Sequence, residues 1–307
     1  MKSPRTTVII VNWNTRELLL ACLSTLAAHA PEAPVIVVDN ASADGSAEAV
    51  EAAYPQVRVI RNAENVGFAR ANNQGIRACE TPYVWLLNSD TEIWPGALQA
   101  LEAALDARPD AAVAGAGLWN PDGSPQACSF AFPTPLTTWA EWLLLPGPLA
   151  RARDRLFGLS PRRTAGETDW VLGASMLVRR AAINQVGLMD EGYFMYSEEL
   201  DWCKRFGRAG WAVLLAPEAV VMHHGGGSTR QMPERMLREL FRSRARYFRR
   251  HLPWPARAPF QALMLLGAIW NSLYLLVRRG PKAPLASQWA IALGRPPRAE
   301  VKPSVGA

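Results

Sequence analysis

Short apolar runs that stop abruptly at polar residues recur through the first hundred positions. The run 7–11 ends at Asn12-Trp13-Asn14, 35–38 at Asp39-Asn40-Ala41-Ser42, 57–60 just before Asn62, and 83–87 at Asn88-Ser89-Asp90-Thr91-Glu92. The absence of polar alternation in 35–38 predicts a strand covered on both faces. Between the runs, Leu18, Leu19, Cys22, Leu23 and Leu26 recur at helical spacing, with Asn14 and Glu17 placed as an N-cap and its capping box. Asp44-Gly45-Ser46 turns into a second helix, and the loop 62–67 leads to a third that carries Arg70, Asn72 and Asn73. Strand and helix alternate, which predicts an α/β fold with a doubly wound, mostly parallel sheet.

Further on, 111–116 reads as a strand and Asn120-Pro121-Asp122-Gly123 as a hairpin turn. The stretch 130–163 is rich in Pro, Trp and Leu without a clean period and is expected to be a helical excursion. Its Trp139 and Trp142 read as core residues, with a sugar-stacking or acceptor-facing role as the alternative. Residues 170–178 are strand-like, with Gly173-Ala174-Ser175 allowing close backbone approach. Ser197-Glu198-Glu199-Leu200-Asp201 opens a helix running to about 209. Two short strands, 213–216 and 219–222, are expected around Pro217, the second ending at His223-His224-Gly225-Gly226-Gly227-Ser228-Thr229. Then come an arginine-laden amphipathic helix over 233–250, a break at Pro253-Trp254-Pro255, and eighteen largely apolar residues, 260–277, closed by Arg278-Arg279. Beyond 281 the chain is Pro-rich and expected to be poorly ordered.

Charge sharpens this picture. The net charge is +6, but 228–282 holds twelve Arg and Lys against two Glu, a local balance of +10 that leaves −4 for the rest. That segment is drawn to phosphates, of lipid or of nucleic acid. Helix-turn-helix, zinc and RNA-recognition signatures are missing, so no nucleic-acid partner is expected. The apolar stretch 260–277 is at the short end of a membrane span and reads better as a helix lying in the cytoplasmic leaflet; the alternative is a helix closing an apolar face of the body. The four cysteines are far apart and form no metal-type or redox-type pair. The run behind the basic N-terminus is too short for a signal peptide, so a cytoplasmic protein, peripheral on the inner face of the membrane, is expected.

The polar strand ends carry the candidate chemistry. In open α/β sheets ligands bind outside the carboxyl ends of the strands, and carboxylate oxygen suits Mg2+ or Mn2+. Asp90 is therefore a candidate metal ligand, although Asn88 and Asp90 taken alone could be turn and capping residues. Neither a Gly-x-Gly-x-x-Gly nor a Walker-type loop is present. Three carboxylates, Glu198, Glu199 and Asp201, fall within four positions, where mutual repulsion would raise a pKa and the helix N-terminus would lower it. His223 and His224, followed by three glycines, point to a metal or diphosphate contact.

In combination these residues resemble the inverting glycosyltransferases of family 2, with the GT-A fold, and their rhamnosyltransferase-like branch, which builds bacterial surface polysaccharides. The resemblance covers about 8–252 and rests on six motifs in order: Val-Asn-Trp-Asn at 11–14, Val-Asp-Asn-Ala-Ser at 38–42, Asn-Val-Gly-Phe-Ala at 65–69, Asn-Ser-Asp at 88–90, Tyr-Ser-Glu-Glu-Leu-Asp at 196–201 and His-His-Gly-Gly-Gly-Ser at 223–228. It implies that Asp39 accepts the imide N–H of a uracil or thymine base, with Asn12 and Asn14 nearby. It implies that Arg70 and Asn73, after Asn65, reach ribose or phosphate, and that Asn88 and Ser89 belong to the donor site. Asp90 and His223 are implied to hold Mg2+ or Mn2+, Glu199 to be the general base, and Glu198 and Asp201 to orient substrate or tune it. Asn88 replaces the first Asp of the family's metal motif, and Glu199 stands where Asp is more usual. The implied partners are a dTDP- or UDP-sugar and a glycan or lipid-linked acceptor. The implied domains are a GT-A domain over 1–230, with halves at about 1–118 and 119–230, then membrane-associated helices over 231–280 and a tail over 281–307. The rival reading is a catalytically silent nucleotide-sugar-binding scaffold at the membrane.

Overall fold

The computed structural model describes residues 4–157, 164–227, 231–278 and 283–293. The expectations for Ser228 and Thr229, for Arg279 and Lys282, for 158–163 and for the tail beyond 293 lie outside the described residues. The chain divides into two compact units, 1–132 with 160–233, and 133–159 with 234–307. The stretch 133–159 thus groups with the C-terminal helices and not with the expected 119–230 half.

The first unit begins with β1 (Thr6–Asn12), α1 (Arg16–His29), β2 (Val35–Asp39), α2 (Ser46–Ala53), β3 (Arg58–Arg61), α3 (Phe68–Arg77) and β4 (Tyr83–Asn88), the expected alternation. It continues through β5 (Thr91–Ile93), α4 (Ala97–Ala107), β6 (Ala111–Trp119) and β7 (Ser129–Phe130). After the second unit's α5 (Pro135–Trp142) and α6 (Gly147–Leu156) come β8 (Gly166–Thr168), β9 (Trp170–Val171), β10 (Ser175–Arg179), α7 (Arg180–Val186), α8 (Glu198–Arg208) and β11 (Ala212–His223). Among the described residues the main sheet runs β3-β2-β1-β4-β10-β6-β11-β5, with β8 also on β11, and β7 pairs with β9 separately. The pairs from β3 to β4 and the β6–β11 pair are parallel; β10, β5 and β8 run antiparallel to their neighbours.

Apolar residues cover both faces, which is why the strands read as unbroken runs. Val8, Ile10, Trp85 and Leu87 pack with Leu19, Leu23 and Leu26 of α1 and Leu98, Leu101 and Leu105 of α4. Ile9, Val84 and Leu86 pack on the other face with Ile76, Ile183, Trp202 and Phe206. The buried indole of Trp85 keeps its donor satisfied by Ser175 Oγ at 2.9 Å.

Two local expectations need correction, and one strand was not expected. Leu172-Gly173-Ala174 splits 170–178 into β9 and β10, and Leu172 N–H is drawn instead to Cys128 O at 2.9 Å. The strands expected around Pro217 form one long β11 whose register on β6 slips between Ala216 and Val220. Proline supplies no N–H to the ladder, and a Cβ on Gly117 would lie 2.7 Å from Pro217 O, so glycine is what lets β6 pass the irregularity. Three residues, 91–93, form β5 beside β11 and had no periodicity to announce them.

The second unit is helical: α5, α6, α9 (Pro233–His251), α10 (Trp254–Arg278) and α11 (Ala283–Ala292). Trp142 packs edge-on against Phe241 with ring centroids 4.5 Å apart. Trp139 lines a small void with Trp142, Met264, Gly267, Ala268, Asn271 and Gln288, so both tryptophans serve as packing. The polar interruption of α10 is a fastening point. Asn271 is buried and donates to Trp142 O at 2.8 Å and Gln288 Oε1 at 2.9 Å, while its Oδ1 accepts Leu144 N–H at 2.8 Å.

Candidate active site

The register of the sheet brings the polar strand ends together. Asn12 lies opposite Asp39, and Val11 opposite Asn88, so β2, β1 and β4 present one continuous edge. Asn12 is buried and donates through Nδ2 to Asp39 Oδ1 and Ser42 Oγ, both at 3.1 Å. Asp39 Oδ2 accepts the Ser42 N–H at 2.9 Å. Thr15 Oγ1 donates to Asn12 Oδ1 at 2.6 Å. Having one proton, it then accepts from Ser89 Oγ at 2.9 Å. Side chains alone therefore connect Asp39 to the Asn88-Ser89-Asp90 turn.

Asn14 shapes this end differently from the expected helix cap. Its φ of 52° is left-handed, its Oδ1 accepts Ala43 N–H at 2.7 Å, and Thr15 is the N-cap of α1. Asn65 accepts Gly67 N–H at 3.0 Å in an Asx turn. Gly67, with φ 88°, admits no side chain, because a Cβ there would lie 2.6 Å from Phe194 O.

Arg70 and Asn73 lie on α3 and are engaged with the turn at 189–191. Asn73 is fully buried, donating to Met189 O at 2.9 Å and Glu191 Oε1 at 3.1 Å and accepting Met189 N–H at 3.1 Å. Arg70 Nε meets Glu191 Oε2 at 3.2 Å. Together with Arg77 they tie down the turn that precedes α8.

At the other end of the edge, Asp90 and His223 converge. His223 closes β11 opposite Thr91, and its Nε2 is 3.3 Å from Asp90 Oδ1 and 3.4 Å from Asn88 Nδ2. Asp90 Oδ2 accepts the Gly227 N–H at 3.1 Å. Burial pushes the Asp90 carboxyl up, but the hydrogen bond and charge of His223 and the Gly227 N–H outweigh it, and the group lies below the ordinary carboxylate value. His224 turns away to Glu92 Oε1 at 2.8 Å.

Among the described residues no cluster of three or more His, Cys, Asp or Glu is placed to hold a metal. The donor set nevertheless fits a divalent cation bound jointly with a ligand. An ionised carboxylate and an imidazole nitrogen face each other, and the buried Oδ1 of Asn88 beside them has no hydrogen-bond partner. Amide, carboxylate and imidazole are donors that Mn2+ and Mg2+ accept, with open positions left for phosphate oxygen.

The carboxylates of α8 come in from a strained turn. Tyr196 and Ser197 have φ of 67° and 63°, each costing about 1–3 kcal/mol for a residue with a side chain. Glu198, Glu199 and Asp201 are all buried at the helix start. A Cβ on Gly173 would lie 3.7 Å from Glu199 Cβ, and the next residue, Ala174, accepts the Asn88 N–H at 3.0 Å. Glu199 is thereby held two backbone residues from the end of β4. Burial, then the Glu199 charge, push the Glu198 carboxyl well above the carboxylate range. Asp201 is committed elsewhere, which corrects the substrate-orienting expectation. It accepts from Arg205 Nε at 2.8 Å, and Arg205 holds Val186 O and Leu188 O.

The mostly parallel sheet with its flanking helices has the GT-A type fold. Residues 7–127 match the model of glycosyl transferase family 2. Over 280 residues the chain is 33% identical to N-acetylglucosaminyl-diphospho-decaprenol L-rhamnosyltransferase of Mycobacterium tuberculosis, covering 85% of this chain and 88% of that relative. The chain belongs to glycosyl transferase family 2, and within it is rhamnosyltransferase-like. The fold is shared with a mannosyltransferase from Pyrobaculum calidifontis solved in complex with GDP-Man and Mn2+, at TM-score 0.56 and 17% identity over 95% of this chain and 81% of that one. It is shared also with GalNAc-T7 solved with UDP, GalNAc and Mn2+, at TM-score 0.57 and 15% identity over 81% and 48%.

Proposed function

We propose that the protein is an inverting glycosyltransferase that moves rhamnose from a dTDP- or UDP-linked donor to a lipid-linked glycan at the inner face of the cell membrane. The observation that carries this reading is the approach of Glu199 to Gly173, whose neighbour Ala174 accepts the Asn88 N–H at the end of β4, close to the Asp90–His223 pair. A base placed beside an anion-binding edge suits a single displacement. Glu199 takes the acceptor hydroxyl proton, the oxygen bonds to the anomeric carbon, and the bond to the nucleoside diphosphate breaks on the opposite face. Asp39, with Asn12 and Ser42, offers carboxylate oxygen to a pyrimidine imide N–H. Asp90, His223 and Asn88 Oδ1 would hold Mg2+ or Mn2+, which neutralises the departing diphosphate. The name of the M. tuberculosis relative supports rhamnose and a lipid-diphosphate acceptor, and the exposed apolar face of α10 supports the membrane location.

The test is the thermal shift of the purified protein with UDP-, dTDP- and GDP-sugars, with and without Mn2+, alongside Asp39→Ala and Asp90→Ala. A metal-dependent rise in Tm with one pyrimidine donor, lost in both variants, is expected. A silent scaffold would still show the shift, but without turnover of that donor on any lipid-linked acceptor; no shift with any nucleotide would sink both readings.

A further inference from the structure

Which ring nitrogen His223 turns towards Asp90 is decided away from the site, by a relay of hydrogen bonds in the hairpin 120–126. Gln126 Oε1 lies 2.6 Å from His223 Nδ1. Gln126 Nε2 donates to Asn120 Oδ1 at 2.8 Å and points at the His223 carbonyl oxygen at 3.4 Å. Asn120 Nδ2 donates to Ser124 Oγ at 2.9 Å, and Ser124 Oγ donates to Asp122 Oδ1 at 2.6 Å.

The direction of every bond in this chain is set from its two ends. The Ser124 hydroxyl and N–H hold the Asp122 carboxyl below its ordinary value, so it only accepts and the Ser124 proton goes to it. Asn120 must then present its amide nitrogen to Ser124 and its oxygen to Gln126. The His223 carbonyl is an acceptor by construction and draws the same Nε2 of Gln126, so Oε1 is what remains for the ring. An oxygen that only accepts obliges Nδ1 to donate. Nε2 is thereby the atom left facing Asp90 Oδ1 and Asn88.

We propose that Gln126 is a positioning residue that takes the His223 Nδ1–H and so keeps Nε2 as the ring nitrogen available to a divalent cation beside Asp90. Hydrogen bonds behind a ligating histidine commonly set its tautomer and orientation in this way. The proposal rests on the reading of Asp90 and His223 as cation ligands. The hairpin backbone is anchored independently of the Gln126 side chain, by Gln126 N–H to Leu118 O at 2.8 Å and Asn120 N–H to Ser124 O at 2.8 Å.

Gln126→Leu removes the acceptor while keeping bulk, and Gln126→Glu keeps an oxygen for Nδ1–H. Titration of Mn2+ followed by electron paramagnetic resonance is expected to show affinity about 10–100-fold weaker in Gln126→Leu and close to the unaltered protein in Gln126→Glu. Two-bond 1H–15N spectra of the neutral imidazoles, with the His223 signals assigned by their loss in His223→Ala, read the tautomer without any metal. Nδ1–H is expected in the unaltered protein and in Gln126→Glu, with an Nε2–H population appearing in Gln126→Leu. An Nε2–H tautomer in the unaltered protein, or wild-type Mn2+ affinity in Gln126→Leu, would overturn the proposal. If the unaltered protein binds no Mn2+, the cation reading falls and the proposal with it, and an Nδ1–H spectrum would then locate the failure in the metal and not in the relay.

Discussion

Glu198 and Glu199 are neighbours in the first turn of α8, yet the fold treats them differently. Glu199 lies beside the Cα of Gly173 next to the ligand edge, whereas Glu198 is the carboxyl that burial and its neighbour's charge push upward. If Glu199 is the base, Glu199→Gln should lower kcat by about 10²–10⁴-fold, the usual worth of a positioned general base. Donor binding in the thermal-shift assay should be unchanged. A loss of donor binding instead would make Glu199 a ligand-holding group. Glu198 should report on pH. Burial and the Glu199 charge raise its folded pKa, so the stability linked to its neutral form is full below the unfolded value, about 4.3. That stability is lost as pH rises through the folded pKa. Glu198→Gln, neutral at every pH, should therefore raise Tm relative to the unaltered protein near pH 8, with the advantage shrinking towards pH 4. Equal Tm differences at both pH values would contradict the buried neutral acid.

At the scale of elements, α10 divides its faces. Phe260, Met264, Ala268, Asn271 and Leu275 are buried, while Leu266, Ile269, Trp270, Leu273, Leu276 and Val277 are exposed, Leu266 by 59% and Leu273 by 57%. The helix over 254–277, whose 18-residue window has a mean hydropathy of 1.6, is long and apolar enough to cross a bilayer by length and composition. A helix with Asn271 fastened on one side and leucines bare on the other is better suited to lying along a surface than to crossing it, and on the proposed membrane location Arg257 and the arginines of α9 would supply charge for anionic headgroups. The full chain should co-float with vesicles containing phosphatidylglycerol, and the double variant Leu266→Glu, Leu273→Glu should bind them at least about tenfold less, since burying one leucine is worth about 1.5–3 kcal/mol. Undiminished flotation would assign membrane contact to another part of the chain.

For the molecule as a whole, what was legible in the sequence follows from what is local. The strands of the first unit are apolar runs with polar ends, so their existence and the ligand edge could be read from 7–11, 35–38 and 83–87. Asp39, Asp90, His223 and Glu199 stood out as carboxylate or imidazole side chains at element boundaries. Asn73 and Asp201 carried the same letters but are consumed by long-range partners, Met189 and Arg205, that no spacing displays. Thr15 and Gln126 escaped notice because their roles depend on closure between distant strands; a glutamine in an aperiodic stretch gives no signal until β11 is laid beside it. The assignment of 133–159 to the helical unit was hidden likewise, since packing decided it and the stretch has no period.

The joined side chains of Asp39, Asn12, Thr15 and Ser89 give the site a built-in measuring stick. Asp39 and Asn12 stand on β2 and β1 and Ser89 follows the end of β4, so the stick spans two strand gaps, about 10 Å. A ligand that grips both ends has to match that span. Changing selectivity for the far end of such a ligand calls for different side chains on the same rungs, because the rungs themselves cannot be moved without taking the sheet apart.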